Sequence, residues 1–497
     1  MKWARPKVTL DAGYHYGNVL GVNVLFVAAE VAPFAKTGGL GDVSGALPNY
    51  LRAAGHDVRV FMPLYSRIDF GGTTVSFAMP QFEIQLGHHR YTVGIVTADS
   101  APGTYFVHCP ELYNRPGLYT QDPDEHRRFL ALGWAALTAA QHMGFAPDIL
   151  HCNDWHTALL PLTLQARFSW DRLFARTKTL LTVHNLNYQG SFPASTLFDT
   201  NLSDVSHFFH QDQLQAGRIN YLLHGILYAG AINAVSPTYA REIQTPAHGV
   251  GLDSFLRARS GTVVGVLNGV DYKDWSPDVD RHIPHHYTAD SLDKKALNKA
   301  HLLTSLGLPV FDGVPVVGIV SRLVSQKGFD LLEHVLPELL YRRGFQLVVL
   351  GSGESRVENM FFQLQRYFPR QVVFYRGFSN PLAHMIEAGS DIFLMPSRYE
   401  PCGLNQMYSL RYGTVPVVHK TGGLADTVQQ WNPHTRTGTG FVFEHHDASG
   451  VRWALEAALK TYDHPDSWRT LMLNGMARDY SWERQALVYE ELYNRIP

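Results

Sequence analysis

The chain has 497 residues, 17% of them charged and 12% aromatic, and its 42 basic and 44 acidic side chains leave a formal charge of −2. That length suits two or three domains at roughly 100–200 residues each, and the low charge with many aromatics excludes a disordered chain. Near-neutrality leaves no global attraction for nucleic acid or an anionic membrane, no run of about 18 apolar residues offers a membrane-spanning helix, and three scattered cysteines cannot build a disulfide framework or a thiolate zinc site.

Residues 1–21 include Lys2, Arg5 and Lys7. No apolar stretch of about 7–15 residues follows them, so they read as a short extension rather than a secretory signal. With so few cysteines, a reducing, cytoplasmic compartment is the default expectation. From residue 22, short apolar runs at 22–28, 57–63, 91–98, 104–109, 148–154, 179–185, 232–237 and 263–269 predict strands. Helical spacing separates many of them, as at 42–55 and 126–144. Continuous apolar strands alternating with helices predict a parallel sheet covered on both faces. The segment 271–287 is rich in Pro, Asp and His, lacks periodicity and reads as a connection. The alternation then resumes, with strands predicted at 314–322, 345–351, 371–378, 391–397, 414–420 and 440–443 and helical sequence at 467–496. The expected fold is α/β, with two doubly wound, Rossmann-like domains dividing near residue 270.

One heptapeptide occurs in both halves. KTGGLGD at 36–42 and KTGGLAD at 420–426 agree at six of seven positions, each between an apolar strand and a helix. Glycines let a backbone approach a ligand closely, and the N–H groups opening the next helix attract anions. Two matched copies point to one cleft shared by facing domains. Lys36, at the head of the first copy, suits a diphosphate.

Ligands of α/β folds bind beyond the carboxyl ends of strands, and several motifs stand there. Arg322 and Lys327 in SRLVSQKG can neutralise a leaving group that gains negative charge. Gly353 in GSGES can present its N–H to phosphate. Tyr375 in YRGF can stack on a base or be an ordinary half-buried aromatic. Glu400 in YEPCGLNQ can orient a sugar hydroxyl or stabilise positive charge. The turn Cys402, Gly403, Leu404 after it can hold hydroxyls or phosphate through its N–H groups. The Cys402 thiol itself reads as a small buried hydrophobe rather than a nucleophile. HCNDWHT and VHNLNYQG bring Asp154, His156 and His184 to strand ends. They lack the H-E-x-x-H arrangement of a helical metal site, so no metal is expected.

Taken in order, KTGGLGD, HCNDWHT, TVHNLNYQG, AVSPTYAREI, GVLNGVD, SRLVSQKG, EPCGLNQ and KTGGLADTV resemble the motif series of bacterial glycogen synthases and plant starch synthases, over about residues 22–495. The resemblance implies the GT-B fold, two Rossmann-like domains facing a deep cleft. An acceptor-side domain would span 22–270 and a nucleotide-sugar domain 271–475, with a last helix at 476–497 crossing back to the first. The implied reaction transfers glucose from ADP-glucose to the 4-hydroxyl at a non-reducing α-1,4-glucan end, with retention and with no metal or other cofactor.

Matched motif by motif, the resemblance assigns Lys36, Gly38 and Gly39 to the donor diphosphate and sugar. Arg322 and Lys327 would stabilise the departing ADP, and Glu400 would hold the donor glucose. The Gly403 and Leu404 N–H groups would bind glucose hydroxyls. His184 would sit against the sugar near its anomeric carbon, Asp154 near the glucose or acceptor, Tyr375 on adenine, and Thr421 and Gly422 on the phosphates. Glu400, His184, Arg322 and Lys327 form the expected catalytic set. The chain departs from related sequences at three places. Tyr408 stands where related transferases often carry a second glutamate, which fits the glycogen-synthase subgroup. His224 and Gly230 replace a usual Lys and Asp. Double displacement needs a nucleophilic carboxylate beneath the sugar ring. Asp154 and Glu400 read better as binders, so same-face attack through a short-lived oxocarbenium-like species is expected. The alternatives are another nucleotide-sugar enzyme of this fold with a different acceptor, or an inactive glucan-binding homologue.

Overall fold

The computed structural model describes residues 21–497, so the extension expected over 1–21 lies outside the described residues but for Gly21. The chain forms two compact units. One takes the residues up to Val235 with Ala240–Val266 and Gln485–Pro497, and the other takes Ser236–Tyr239 and Leu267–Arg484. Among the described residues, no helix is long and apolar enough to cross a membrane.

The strands of the first unit are β1 (Asn23–Val27), β2 (Asp57–Pro63), β3 (Val75–Phe77), β4 (Phe82–Leu86), β5 (His89–Ala98), β6 (Thr104–His108), β7 (Ile149–Asn153), β8 (Lys178–Val183), β9 (Ser191–Pro193), β10 (Arg218–Asn220), β11 (Ala231–Ala234) and β12 (Val263–Gly265). Ten of them form one sheet in the order β12-β11-β8-β7-β1-β2-β6-β5-β3, with β4 on β5, while β9 and β10 pair by themselves. The sheet is parallel from β12 to β6, as expected. Its β3, β4 and β5 edge is antiparallel, which corrects the all-parallel expectation. Only residues 99–103 join β5 to β6, and a parallel crossover takes about a dozen or more residues, so the chain has to double back. β3 is exposed throughout and β4 alternates, so neither shows the apolar run of a buried strand.

Residues Gln485–Pro497 close the first unit through polar contacts on the sheet. Tyr493 Oη lies 2.8 Å from His151 Nδ1 on β7, and Asn233 on β11 donates to Tyr489 Oη at 3.1 Å. Lys178 on β8 donates to the Ile496 carbonyl at 2.5 Å.

The second unit contains β13 (Val316–Leu323), β14 (Gln346–Gly353), β15 (Val372–Arg376), β16 (Ile392–Met395), β17 (Val415–His419) and β18 (Phe441–Phe443), in the parallel order β15-β14-β13-β16-β17-β18. Successive side chains of a strand point to opposite faces. Leu347 and Val349 of β14 accordingly join the core beneath helices Leu332–Arg343, Ser355–Tyr367 and Ala448–Tyr462. Val348 and Leu350 join the other core, with helices Lys295–Ser305 and Asn380–Gly389. Both faces are buried, which is why these strands read as unbroken apolar runs.

Candidate active site

In the first unit β8, β7 and β1 are neighbours, so the residues just beyond their carboxyl ends come together. These include His184, Asp154 and Glu30. Asp154 turns the chain from β7 into a short helix at φ +52. Its Oδ1 accepts the N–H groups of His184 at 2.7 Å and Asn185 at 3.3 Å. Burial pushes its carboxyl up to about 7 against those two bonds, and the charge of Glu30 adds to the rise. His184 Nε2 donates to Asn153 Oδ1 at 3.0 Å, while its Nδ1 is buried without a partner. Burial holds its pKa down to about 3, so the ring is neutral with a bare acceptor at Nδ1. His156 is also buried and neutral, stacked on Tyr119 at 4.9 Å.

The first glycine loop opens the helix Gly39–Ala53, with Gly38 as an N-cap that has no side-chain bond. Lys36 Nζ lies 2.6 Å from Asp42 Oδ1. A Cβ added to Gly38 or Gly39 would meet nothing within 4 Å. Among the described residues nothing therefore requires glycine at either position, and their faces are open to that extent.

In the second unit Glu400 follows β16, buried, with Oε2 at 2.5 Å from Lys327 Nζ and 3.1 Å from Ser397 Oγ. Arg322 near the end of β13 is exposed and has no ion pair among the described residues. Gly403 holds φ +71 within the turn that Cys402 begins and Leu404 ends, just before the helix Asn405–Arg411. Burial pushes the Cys402 thiol up to about 12, so it stays protonated, in keeping with a small hydrophobe.

The second glycine loop differs from the first. Thr421 and Gly422 are buried, and a Cβ on Gly422 would lie 1.9 Å from the Glu400 carbonyl oxygen. One on Gly423 would lie 2.0 Å from that of Cys402, and the Gly423 N–H donates to Glu400 O at 3.1 Å. These glycines press the loop against the backbone that carries Glu400, so the two copies are not equivalent cradles. Gly353 needs a similar correction. Its N–H is taken by Glu358 Oε1 at 2.9 Å, and a Cβ would lie 2.3 Å from the Leu323 carbonyl oxygen. Close strand approach explains this glycine, and its donor is already occupied. Tyr375 at the end of β15 is 45% exposed. Among the described residues, no group of three or more His, Cys, Asp or Glu side chains is placed to hold a metal ion.

Residues 23–258 match the family described as starch synthase catalytic domain, and residues 308–470 match glycosyl transferases group 1. The chain is 43% identical to a glycogen synthase of Koribacter versatilis over 488 residues, covering 95% of this chain and 98% of the relative. It is 42% identical to that of Geotalea daltonii over 481 residues, covering 96% and 99%. The solved catalytic domain of starch synthase IV from Arabidopsis thaliana, bound to ADP and acarbose, matches with a TM-score of 0.88 at 34% identity, over 96% of this chain and 99% of that one. The chain belongs to the glycogen and starch synthase family. It is a glycosyltransferase of the GT-B fold, as the motif series implied.

Within this family framework the departures gain physical accounts. His224 is buried; its Nδ1 lies 2.6 Å from the Asn220 carbonyl and its Nε2 accepts the His210 N–H at 3.1 Å. A neutral ring bonded at both nitrogens ties residues 209–210 to the helix Tyr221–Tyr228, and burial lowers its pKa to about 4. Gly230 sits where a Cβ would lie 3.0 Å from both Ile496 Cγ2 and the Thr179 carbonyl oxygen. Tyr408 lies flat on Trp275, with centroids 4.0 Å apart and planes 3° from parallel.

Two groups were missed from sequence. Phe378, three residues beyond Tyr375, is 80% exposed. It lay within the YRGF motif, but exposure has no sequence signal. Glu30 gives none either, because its partners are backbone N–H groups and hydroxyls rather than a charged motif.

Proposed function

We propose that the chain transfers glucose from ADP-glucose to the non-reducing 4-hydroxyl of an α-1,4-glucan, with retention of configuration, in the cytoplasm. The names of its relatives support glycogen synthesis, and the ADP and acarbose bound to the Arabidopsis enzyme support this donor and acceptor class. Three free, buried cysteines, Cys109, Cys152 and Cys402, suit a reducing compartment. The single observation that carries the reading is the pair at 2.5 Å between half-buried Lys327 and buried Glu400.

In this reading Glu400 holds the donor glucose and keeps Lys327 in place before the substrate arrives. Lys327 and the exposed Arg322 then meet the negative charge that develops on the leaving diphosphate. A cation held in advance needs no reorganisation at the moment of reaction. Lys36, Gly38 and Gly39 contact the diphosphate and sugar, and the Gly403 and Leu404 N–H groups bind glucose hydroxyls. Thr421 and Gly422 act by supporting the Glu400 loop. Tyr375, with the exposed Phe378 three residues on in the chain, offers an adenine platform. The neutral ring of His184 sits against the sugar near its anomeric carbon. Asp154 lies near the glucose with Oδ1 already committed to two N–H groups, which suits a binder better than a nucleophile. That favours same-face attack, in which the glycosidic C1–O bond to phosphate breaks, the acceptor 4-oxygen bonds C1 from the same side, and the leaving phosphate takes the acceptor proton.

The test is incubation with ADP-glucose or UDP-glucose, with and without glycogen. Chain elongation from ADP-glucose with glycogen is expected. ADP release without elongation refutes the reading, and a glucosyl adduct trapped on any carboxylate refutes same-face attack.

A further inference from the structure

Glu30 lies three residues beyond β1 and is only 3% exposed. Its carboxylate serves two kinds of donor. Oε2 accepts the N–H of Thr37 at 2.5 Å and, more weakly, that of Gly38 at 3.4 Å. Oε1 accepts the hydroxyls of Thr37 at 2.6 Å and Tyr119 at 2.5 Å. Three of these four donors belong to the loop whose next residues are the open Gly38 and Gly39. A buried carboxylate is costly unless hydrogen bonds compensate it. Here the compensation comes almost entirely from one loop, so the charge and the loop geometry depend on each other.

We propose that Glu30 is a positioning residue for the donor. By gripping Thr37 and Gly38 it fixes the loop so that Lys36 and the bare faces of Gly38 and Gly39 stand ready for the diphosphate. This rests on the reading above, in which that loop contacts ADP-glucose. Glu30 itself does not touch the donor, since its oxygens are filled by protein donors. Tyr119 adds a second anchor from a segment distant in the chain, and its ring stacks on His156. The grip is thus tied to the segment that follows Asp154.

The test measures ADP affinity by calorimetry without glycogen, and steady-state kinetics with it, on the full chain. Glu30→Ala is expected to weaken ADP binding and raise KM for ADP-glucose about tenfold or more, the scale of one charge-assisted hydrogen bond, while KM for glycogen stays within about threefold. Glu30→Gln keeps a carbonyl for the two N–H groups and is expected to recover most of the donor affinity. Thr37→Val removes only the hydroxyl and should fall between. The proposal is overturned if Glu30→Ala, or Thr37→Val should the former not fold, leaves donor affinity unchanged. It is equally overturned if donor and glycogen KM rise together. A chain that binds ADP but does not elongate glycogen refutes the synthase reading instead, and the calorimetry still decides the role of Glu30.

Discussion

Replacing Gly422 with alanine would set a Cβ 1.9 Å from the Glu400 carbonyl oxygen, on a backbone with φ +43. Ordinary contacts begin at 3.4 Å, and a main-chain carbonyl cannot swing aside as a side chain can. Overpacking of this kind typically costs about 1–3 kcal/mol. A left-handed backbone adds about 1–2 kcal/mol for a residue with a Cβ. Gly422→Ala should therefore lose about 2–5 kcal/mol, or roughly 4–20 °C in Tm at 2–4 °C per kcal/mol. Turnover should fall as well, because the displaced backbone carries Glu400. Gly38→Ala and Gly39→Ala present the opposite case. Their Cβ atoms meet nothing within 4 Å, so Tm should move by no more than about 2 °C. Their effect should appear in the donor, as a rise of about tenfold or more in KM for ADP-glucose if a methyl displaces one close contact. Thermal unfolding with and without ADP, alongside kinetics, checks all three variants. A Gly422→Ala protein as stable as wild type, or early unfolding of Gly38→Ala, would refute the division of labour between the two loops.

Lys327→Met leaves the buried Glu400 carboxylate without its half-buried cation and should destabilise the protein by about 1–3 kcal/mol. Adding Glu400→Gln should restore part of that loss, whereas additivity within about 0.5 kcal/mol would show that the two do not interact; Glu400→Gln alone should lower turnover about a hundredfold or more. Asp154 has a folded pKa of about 7, above its ordinary 3.8, so its protonated form favours the native state. The stabilisation is complete below the ordinary carboxylate pKa and is lost as pH rises through about 7. Asp154→Asn should accordingly flatten the pH–stability curve between about 4 and 7, and an unchanged slope there counts against the assignment. Phe378→Ala and Tyr375→Ala should leave Tm unchanged, since both side chains are exposed. Stacking on a base is worth about 1–3 kcal/mol, so loss of the residue that carries adenine should raise KM for ADP-glucose about fivefold or more. If neither does, the adenine lies elsewhere.

Much of this protein follows from the order of its residues. Unbroken apolar runs such as Leu347–Leu350 read as strands buried on both faces, and their alternation with helices points to largely parallel sheets. The antiparallel edge was harder to see, because β3 and β4 are short, exposed or alternating, and it is the brevity of 99–103 that forces the reversal. Motifs at strand ends put Glu400, Lys327, His184 and Asp154 forward as candidates, because a parallel sheet gathers its carboxyl ends along one edge. The tertiary structure alone decided what each glycine is for. Near-identical heptapeptides leave Gly38 and Gly39 open yet wedge Gly422 and Gly423 against Glu400 and Cys402. Glu30 was silent in the sequence for the same reason. A turn's local conformation is encoded in its own residues, but which of its faces and N–H groups stay free depends on segments far away in the chain that pack against it.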